Sequence, residues 1–313
     1  MSLILILMVL LATILGALFP QQILVLKPGL RPSFVGIMFL MGTLLRWTEI
    51  KVAAQEPRKL VPGLVGQYGL MPLLAWLASL AFDDSMIRAG ILLLGCMPTA
   101  MASNVVTLLV NGRLSLAVFW TATATMAAPL VVGGLLPHLI DKHIALSPLD
   151  MAWTACWMVT MPVGGGILVR AVCEKKMPRW WEKASGWWEK ASRHFATASI
   201  AFIVTITVAE SGRLIFSVGP RLLAVLVAWN VVSYALAALA GKASGWPLPD
   251  RRALVLDVGM KNAGLGALLA RDIGLGAGVP STVYAVLCLL TATTIPLFIK
   301  AQPPQVPPVT PSA

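Results

Sequence analysis

Charge is scarce in this 313-residue chain: Asp, Glu, Lys and Arg together make up 12%, about half the share usual in a soluble domain. That excludes an ordinary soluble fold. Cysteine is nearly as rare, with Cys96, Cys156, Cys173 and Cys288 lying in or at the ends of apolar stretches. None has metal-like spacing to another cysteine or to His138, His143 or His194, so they read as buried apolar thiols, with neither disulfide nor metal cluster expected. The first twenty residues, MSLILILMVLLATILGALFP, lack a basic leader and a small-residue cleavage site. They are expected to stay on as a first membrane span.

What fills the chain instead is hydrophobic residues, 58% of it, at a mean hydropathy of +0.83. Uncharged runs recur near 20 residues, the length a helix needs at about 1.5 Å per residue to cross roughly 30 Å of hydrocarbon. Hydropathy and Pro/Gly punctuation give ten segments: 2–20, 32–46, 58–81, 86–111, 115–139, 148–172, 195–212, 219–240, 252–271 and 278–299. Ten divides into five and five across the polar link DKHIALSP, giving repeats 1–140 and 148–300. The fourth segment of each half is the odd one. GCMPTAMASN breaks at Pro98, and LDVGMKN carries Asp257, Gly259 and Lys261, so that Asn104 and Asn262 read as equivalents.

Orientation follows from the basic residues. With the N-terminus cytoplasmic, sixteen Lys and Arg fall inside and seven outside, with Lys261 left in the membrane. Both termini are then cytoplasmic, in a cell inner membrane, and the two halves run antiparallel. This bias accounts for most of the net charge of +11, so no nucleic-acid partner is implied. Asn104 lies nine residues before Arg113, and Lys261 nine residues after Arg252, each roughly 13 Å from the inner edge. The two broken segments therefore meet at one depth if they cross. The expected fold is an all-α polytopic membrane protein of ten transmembrane helices, two inverted five-helix repeats, with helices four and nine broken and crossing.

A charge near the bilayer centre costs about 2.5–3.5 kcal/mol on insertion scales, so Asp257 and Lys261 need a reason. Four residues apart on one helix they neutralise each other and tighten packing; if Gly259 opens the helix, both face a cavity. Gln67, Ser103, Asn104 and Thr121 are the polar residues in otherwise apolar surroundings. Singly each serves as interhelical glue; together they form the oxygen shell a hard cation prefers. A channel would need a continuous polar stripe, and an intramembrane enzyme a base or second carboxylate beside Asp257. Neither is present at that depth, so the chain is not expected to be an enzyme.

CMPTAMASNVVTLLVNG, QYGLMPLLAW and above all DVGMKNAGL resemble the bile acid:sodium symporter family, over essentially the whole chain. The resemblance implies a panel domain from spans 2–20, 32–46, 148–172 and 195–212. The core domain comes from 58–81, 86–111, 115–139, 219–240, 252–271 and 278–299. It implies a first sodium site at Ser103, Asn104, Thr121 and Asp257, with Ala117 where the family has a further hydroxyl and Asp257 where it has glutamate. It implies a second at Gln67, Asp257 and backbone oxygens near Val258 and Met260, with Lys261 in place of a glutamine and therefore of the sodium itself. Thr99, Ala100 and Met101 replace a Gly-Gly-Thr. Residues expected to line the substrate site are Met101, Ala102, Asn104, Lys261, Asn262 and Thr291.

The function this implies is alternating-access transport of an organic anion, bile-acid-like or a small carboxylate, with coupling altered from two sodium ions. Proton coupling, uncoupled transport and export remain open. No cofactor is expected beyond sodium as a candidate coupling ion. The partners are a small organic anion and the lipid bilayer, and the pattern is compatible with a monomer. RWWEKASGWWEKAS reads as an interfacial helix, its two Trp pairs one heptad apart, and the Pro-rich tail 301–313 as disordered.

Overall fold

A computed structural model describes residues 2–298 except 47, 49–50, 52–53, 101, 142–143, 145–146 and 275. Met101 and the tail 301–313 therefore lie outside the described residues. The principal helices are α1 (Ser2–Leu18), α2 (Leu30–Leu44), α3 (Pro57–Ser79), α4 (Ser85–Cys96), α5 (Ala102–Leu109) and α6 (Leu114–Gly134). They continue with α7 (Pro148–Lys176), α8 (Pro178–Ala243), α9 (Leu248–Gly259), α10 (Ala263–Ile273) and α11 (Val279–Phe298). Short turns at Pro20–Leu24, Lys27–Gly29 and Leu136–Leu139 complete the described helix. There is no strand among the described residues, only an isolated antiparallel bridge between Thr99 and Lys261.

Length and hydropathy alone qualify α3, α6, α7 and the Gly219–Ala243 part of α8 to cross a membrane. Large apolar side chains such as Leu130, Leu149 and Trp153 point outward from α6 and α7, as they do where the surrounding solvent is lipid. Two apolar cores lie inside. One joins Phe34 and Ile37 of α2, Val159 and Val163 of α7, and Leu265 and Leu269 of α10. The other joins Met71 and Ala75 of α3, Trp120 of α6, Trp229 of α8, Leu256 of α9 and Tyr284 of α11. Between α2 and α7 the backbones touch: a Cβ on Gly42 would come within 2.3 Å of the Val163 carbonyl, and one on Gly166 within 2.2 Å of that of Phe39.

Residues 178–243 depart from expectation. An interfacial helix and two separate spans, 195–212 and 219–240, were expected; the chain is helical throughout. At about 1.5 Å per residue its 66 residues would run about 100 Å if straight. Packing forbids that. Trp188 reaches Thr43, Glu210 pairs with Lys27 and Arg271, Arg221 lies over the Phe82 ring, and Gly241 lies against Arg251. Met86, four residues after Phe82, abuts Gly274 and Gly276 next to Arg271, so Glu210 and Arg221 share one end of the bundle. The chain therefore reverses direction between them. Pro220, which lacks the N–H and clashes with the preceding turn, supplies the bend.

The thiols also differ in part from expectation. Cys96 and Cys288 are buried, but Cys156 and Cys173 are only half-buried.

Candidate functional site

Two prolines prepare the site. In α3, Pro72 has no N–H, and the helix widens into a π turn over Gly66–Leu70 in which the Met71 amide bonds back to the Gly66 carbonyl. The next carbonyl along, that of Gln67, is left without its amide donor. In α4, Pro98 forces Met97 out of helical geometry (φ −69°, ψ 147°), and the Met97 carbonyl is freed as well. Lys261 donates its ammonium to both, at 3.0 Å to Gln67 O and 3.0 Å to Met97 O, and its Nζ lies 5.9 Å from the centre of the Tyr68 ring. Gln67 Nε2 donates to the same Met97 carbonyl at 3.0 Å. The ammonium thus takes two main-chain oxygens and faces one aromatic ring.

The break between α9 and α10 is fixed from the other side. A Cβ on Gly259 would fall 1.9 Å from Tyr234 Cε1, so only glycine lets the chain pass that ring. The Gly259 carbonyl, freed by the break, accepts from Tyr284 Oη and from Asn230 Nδ2 at 3.0 Å. Past it the chain runs extended against the break in α4. The Ala100 amide donates to Met260 O at 2.7 Å, the Asn262 amide to Pro98 O at 2.8 Å, and Thr99 Oγ1 to Asp257 O at 2.8 Å. Asn262 then caps α10 by accepting from the Leu265 amide at 3.1 Å. The two interruptions lie against each other. Asn104 and Asn262 hold different registers in them, because Asn262 immediately precedes α10 whereas Asn104 is already inside α5. Asn230, Tyr234 and Tyr284 were not among the expected site residues; an asparagine in the apolar run AVLVAWNVVS was the available signal.

Asp257 and Lys261 do not pair. The break rotates them apart, so neither the self-neutralised pair nor a lysine held by this carboxylate describes the geometry. Asp257 is fully buried on α9; its Oδ1 receives a long bond of 3.5 Å from Thr121 Oγ1, and its Oδ2 has no partner. Thr121 also reaches Asn104 Oδ1 at 3.2 Å, and its single proton serves one acceptor at a time. Ser103 Oγ and Gln67 Oε1 are buried and unpartnered too. Gln67, Ser103 and Asp257 thus each carry an unmet oxygen, and Ala117 is buried and contributes none.

Of the remaining expected residues, Ala102 opens α5 and Val258 packs against Gly66. The Met260 carbonyl is occupied by the Ala100 amide. Lys261 is 1% exposed with its ammonium turned into the protein, which removes it from the substrate-lining set. Thr291 bonds back to Leu287 O and Cys288 O and lies 3.4 Å from Tyr234 Oη, so Tyr234 stands between it and the crossing. Asn262 and Asn104 remain at the N-terminal ends of half-helices, where backbone N–H groups and the positive ends of helix dipoles suit an anion.

Interrupted helices whose breaks meet at buried charges, in a helical protein with an apolar exterior, define a membrane transport protein. The sequence model of the Sodium Bile acid symporter family matches residues 32–218, and the chain belongs to that family. The match contains Gln67, Ser103, Asn104 and Thr121 and ends before Asp257 and Lys261. The chain is 29% identical over 258 residues to the "Uncharacterized sodium-dependent transporter YocS" of Bacillus subtilis (strain 168), covering 81% of this chain and 77% of that protein. It is 28% identical to the "Probable sodium/metabolite cotransporter BASS1, chloroplastic" of Oryza sativa subsp. japonica, over 76% of this chain and 58% of that one. To the human "Ileal sodium/bile acid cotransporter" it is 26% identical, over 73% of this chain and 65% of the relative. The chain therefore spans less than two thirds of the length of these last two.

Proposed function

We propose that this chain is a secondary transporter that moves an organic anion by alternating access, with Asp257 the seat of one exchangeable cation and Lys261 a tethered cation standing in for a second. The reading includes ten spans as two inverted repeats, the panel and core division, and an anion seated near Asn104 and Asn262. The observation that carries it is the unequal treatment of the two buried charges. Two charge-assisted hydrogen bonds, together about 3–6 kcal/mol, offset the roughly 2.5–3.5 kcal/mol of placing the ammonium at membrane depth. Lys261 is therefore satisfied without any ion. Asp257, with Oδ2 unpartnered and only a long bond from Thr121 at Oδ1, is not, and a sodium ion or a proton relieves it. The relatives' names, sodium-dependent transporter and sodium/bile acid cotransporter, favour sodium.

The test is thermal unfolding of the purified full chain, titrated with NaCl against choline chloride at constant ionic strength. The expected result is a stability gain that saturates as one site and is lost in Asp257→Asn. A Hill coefficient near two, or a gain that survives Asp257→Asn, overturns the assignment. A screen of a bile acid and a panel of small carboxylates by the same assay identifies the anion class.

A further inference from the structure

We infer that the ion pairs at the Glu210 end of the bundle form a latch between panel and core, closing that end of the transport path. The inference rests on the alternating-access reading above. Arg31 of α2 donates to Asp272 of α10 at 3.0 Å, and Glu210 of α8 takes both Lys27, at 2.8 Å, and Arg271 of α10. Lys27, Arg31 and Glu210 belong to the panel; Arg271 and Asp272 end a core half-helix. Two contacts therefore cross the boundary, and Lys27 holds Glu210 in place from the panel side.

The other end is wired differently. Glu56, Lys59, Arg113 and Asp250 pair among themselves on core elements, and Arg170 pairs with Glu174 within α7. Each of those contacts lies within one body and braces it. Only partly exposed charges resist screening, and Glu210 and Arg271 are 17% and 21% exposed. The latch is also tied to the site. Asn262, at the crossing, caps α10, whose 11 residues form a rigid rod of about 16 Å ending at Arg271 and Asp272. Movement of the crossing relative to the panel must pull on both contacts.

Exposed ion pairs shift an equilibrium by up to about fivefold each, so losing both crossing contacts shifts it by up to about 25-fold. The experiment uses the full chain in nanodiscs, its four cysteines replaced by alanine, with spin labels at Val25→Cys and Asp83→Cys, both exposed near this end. Distances are read by double electron–electron resonance. The expected result is a single short distance in this background and an added longer population when Glu210→Gln and Asp272→Asn are combined. The swap of Arg31→Asp with Asp272→Arg should return the short distance, which separates charge pairing from misfolding. If the background moves between two distances with sodium while the neutralised variant follows it unchanged, the latch is refuted and alternating access stands. If no ion and no variant moves the labels, alternating access itself falls and the latch with it.

Discussion

Lys261→Met tests whether the ammonium substitutes for an ion, because it keeps an unbranched side chain one atom shorter and deletes the charge. In the parent, the ammonium bonds Gln67 O and Met97 O at 3.0 Å each. The variant regains the roughly 2.5–3.5 kcal/mol of burying a charge, loses about 3–6 kcal/mol of charge-assisted bonding, and leaves two carbonyls freed by proline with less to bond to. The net change in choline chloride runs from about zero to a loss of about 3.5 kcal/mol, centred on a loss of about 1.5 kcal/mol. Sodium should then enter the carbonyl cage. At a hundredfold excess over its dissociation constant it returns about 2.7 kcal/mol, comparable to the deficit. The assay is thermal unfolding of both proteins in sodium and in choline. The variant should gain a second sodium-dependent increment absent from the parent, and Lys261→Gln, whose amide can still donate to one carbonyl, should gain less. Equal sodium increments in parent and Lys261→Met would show that the cage takes no ion and that the lysine is a packing device.

Gly259→Ala should destabilise by about 1–3 kcal/mol or prevent folding, since the new methyl meets the Tyr234 ring at 1.9 Å, and Tyr234→Ala should relieve it in the double variant, read by denaturation midpoint. Trp181 is buried beside Arg170 and Trp188 donates to Thr43 Oγ1 at 2.8 Å, while Trp180 and Trp187 are exposed; Trp180→Ser with Trp187→Ser should weaken membrane seating alone, and Trp181→Ser with Trp188→Ser should lower thermal stability. Glu56 is held down to about 2, first by its hydrogen bond from Arg113 and then by Lys59. A depressed carboxylate contributes stability above its unfolded value near 4.5 that is lost as pH falls toward 2, so Glu56→Gln should flatten acid unfolding in that window and leave the profile between pH 6 and 8 unchanged.

The helical segments were legible because lipid imposes length and apolarity on every span, and Pro98 marked one break outright. The break at Gly259 was legible only as a glycine beside charges; its cause, the Tyr234 ring, lies on a distant helix. The cage around Lys261 could have been read further. Pro72 stands five residues after Gln67, the spacing that a π turn needs to strip a carbonyl of its donor, but the proline reads first as ordinary punctuation in an apolar run. The expected Asp257–Lys261 pair failed for a geometric reason. The i,i+4 rule holds only while the helix continues, and here it ends at Gly259, between the two. The reversal inside 178–243 was legible as the interval between the expected spans 195–212 and 219–240; the helix that continues across that interval was not.

A lysine in a cation's place alters what a transporter can do with its gradients. A bound sodium crosses with the substrate and contributes about 2.3 kcal/mol for each 100 mV of membrane potential, about a 50-fold factor in accumulation. A tethered ammonium gives the same local neutralisation of the Gln67 and Met97 carbonyls but is never released, so it contributes nothing to the driving force. On the proposed reading the chain thus keeps the electrostatics of a filled second site and gives up that site's share of coupling. The crossing is then permanently half-assembled, and Asp257 alone decides whether substrate movement is linked to an ion. That places the weight of coupling on a residue whose Oδ2 is buried and unpartnered. It follows that Asp257→Asn should remove ion dependence altogether while leaving the carbonyl cage, and with it the crossed geometry, intact.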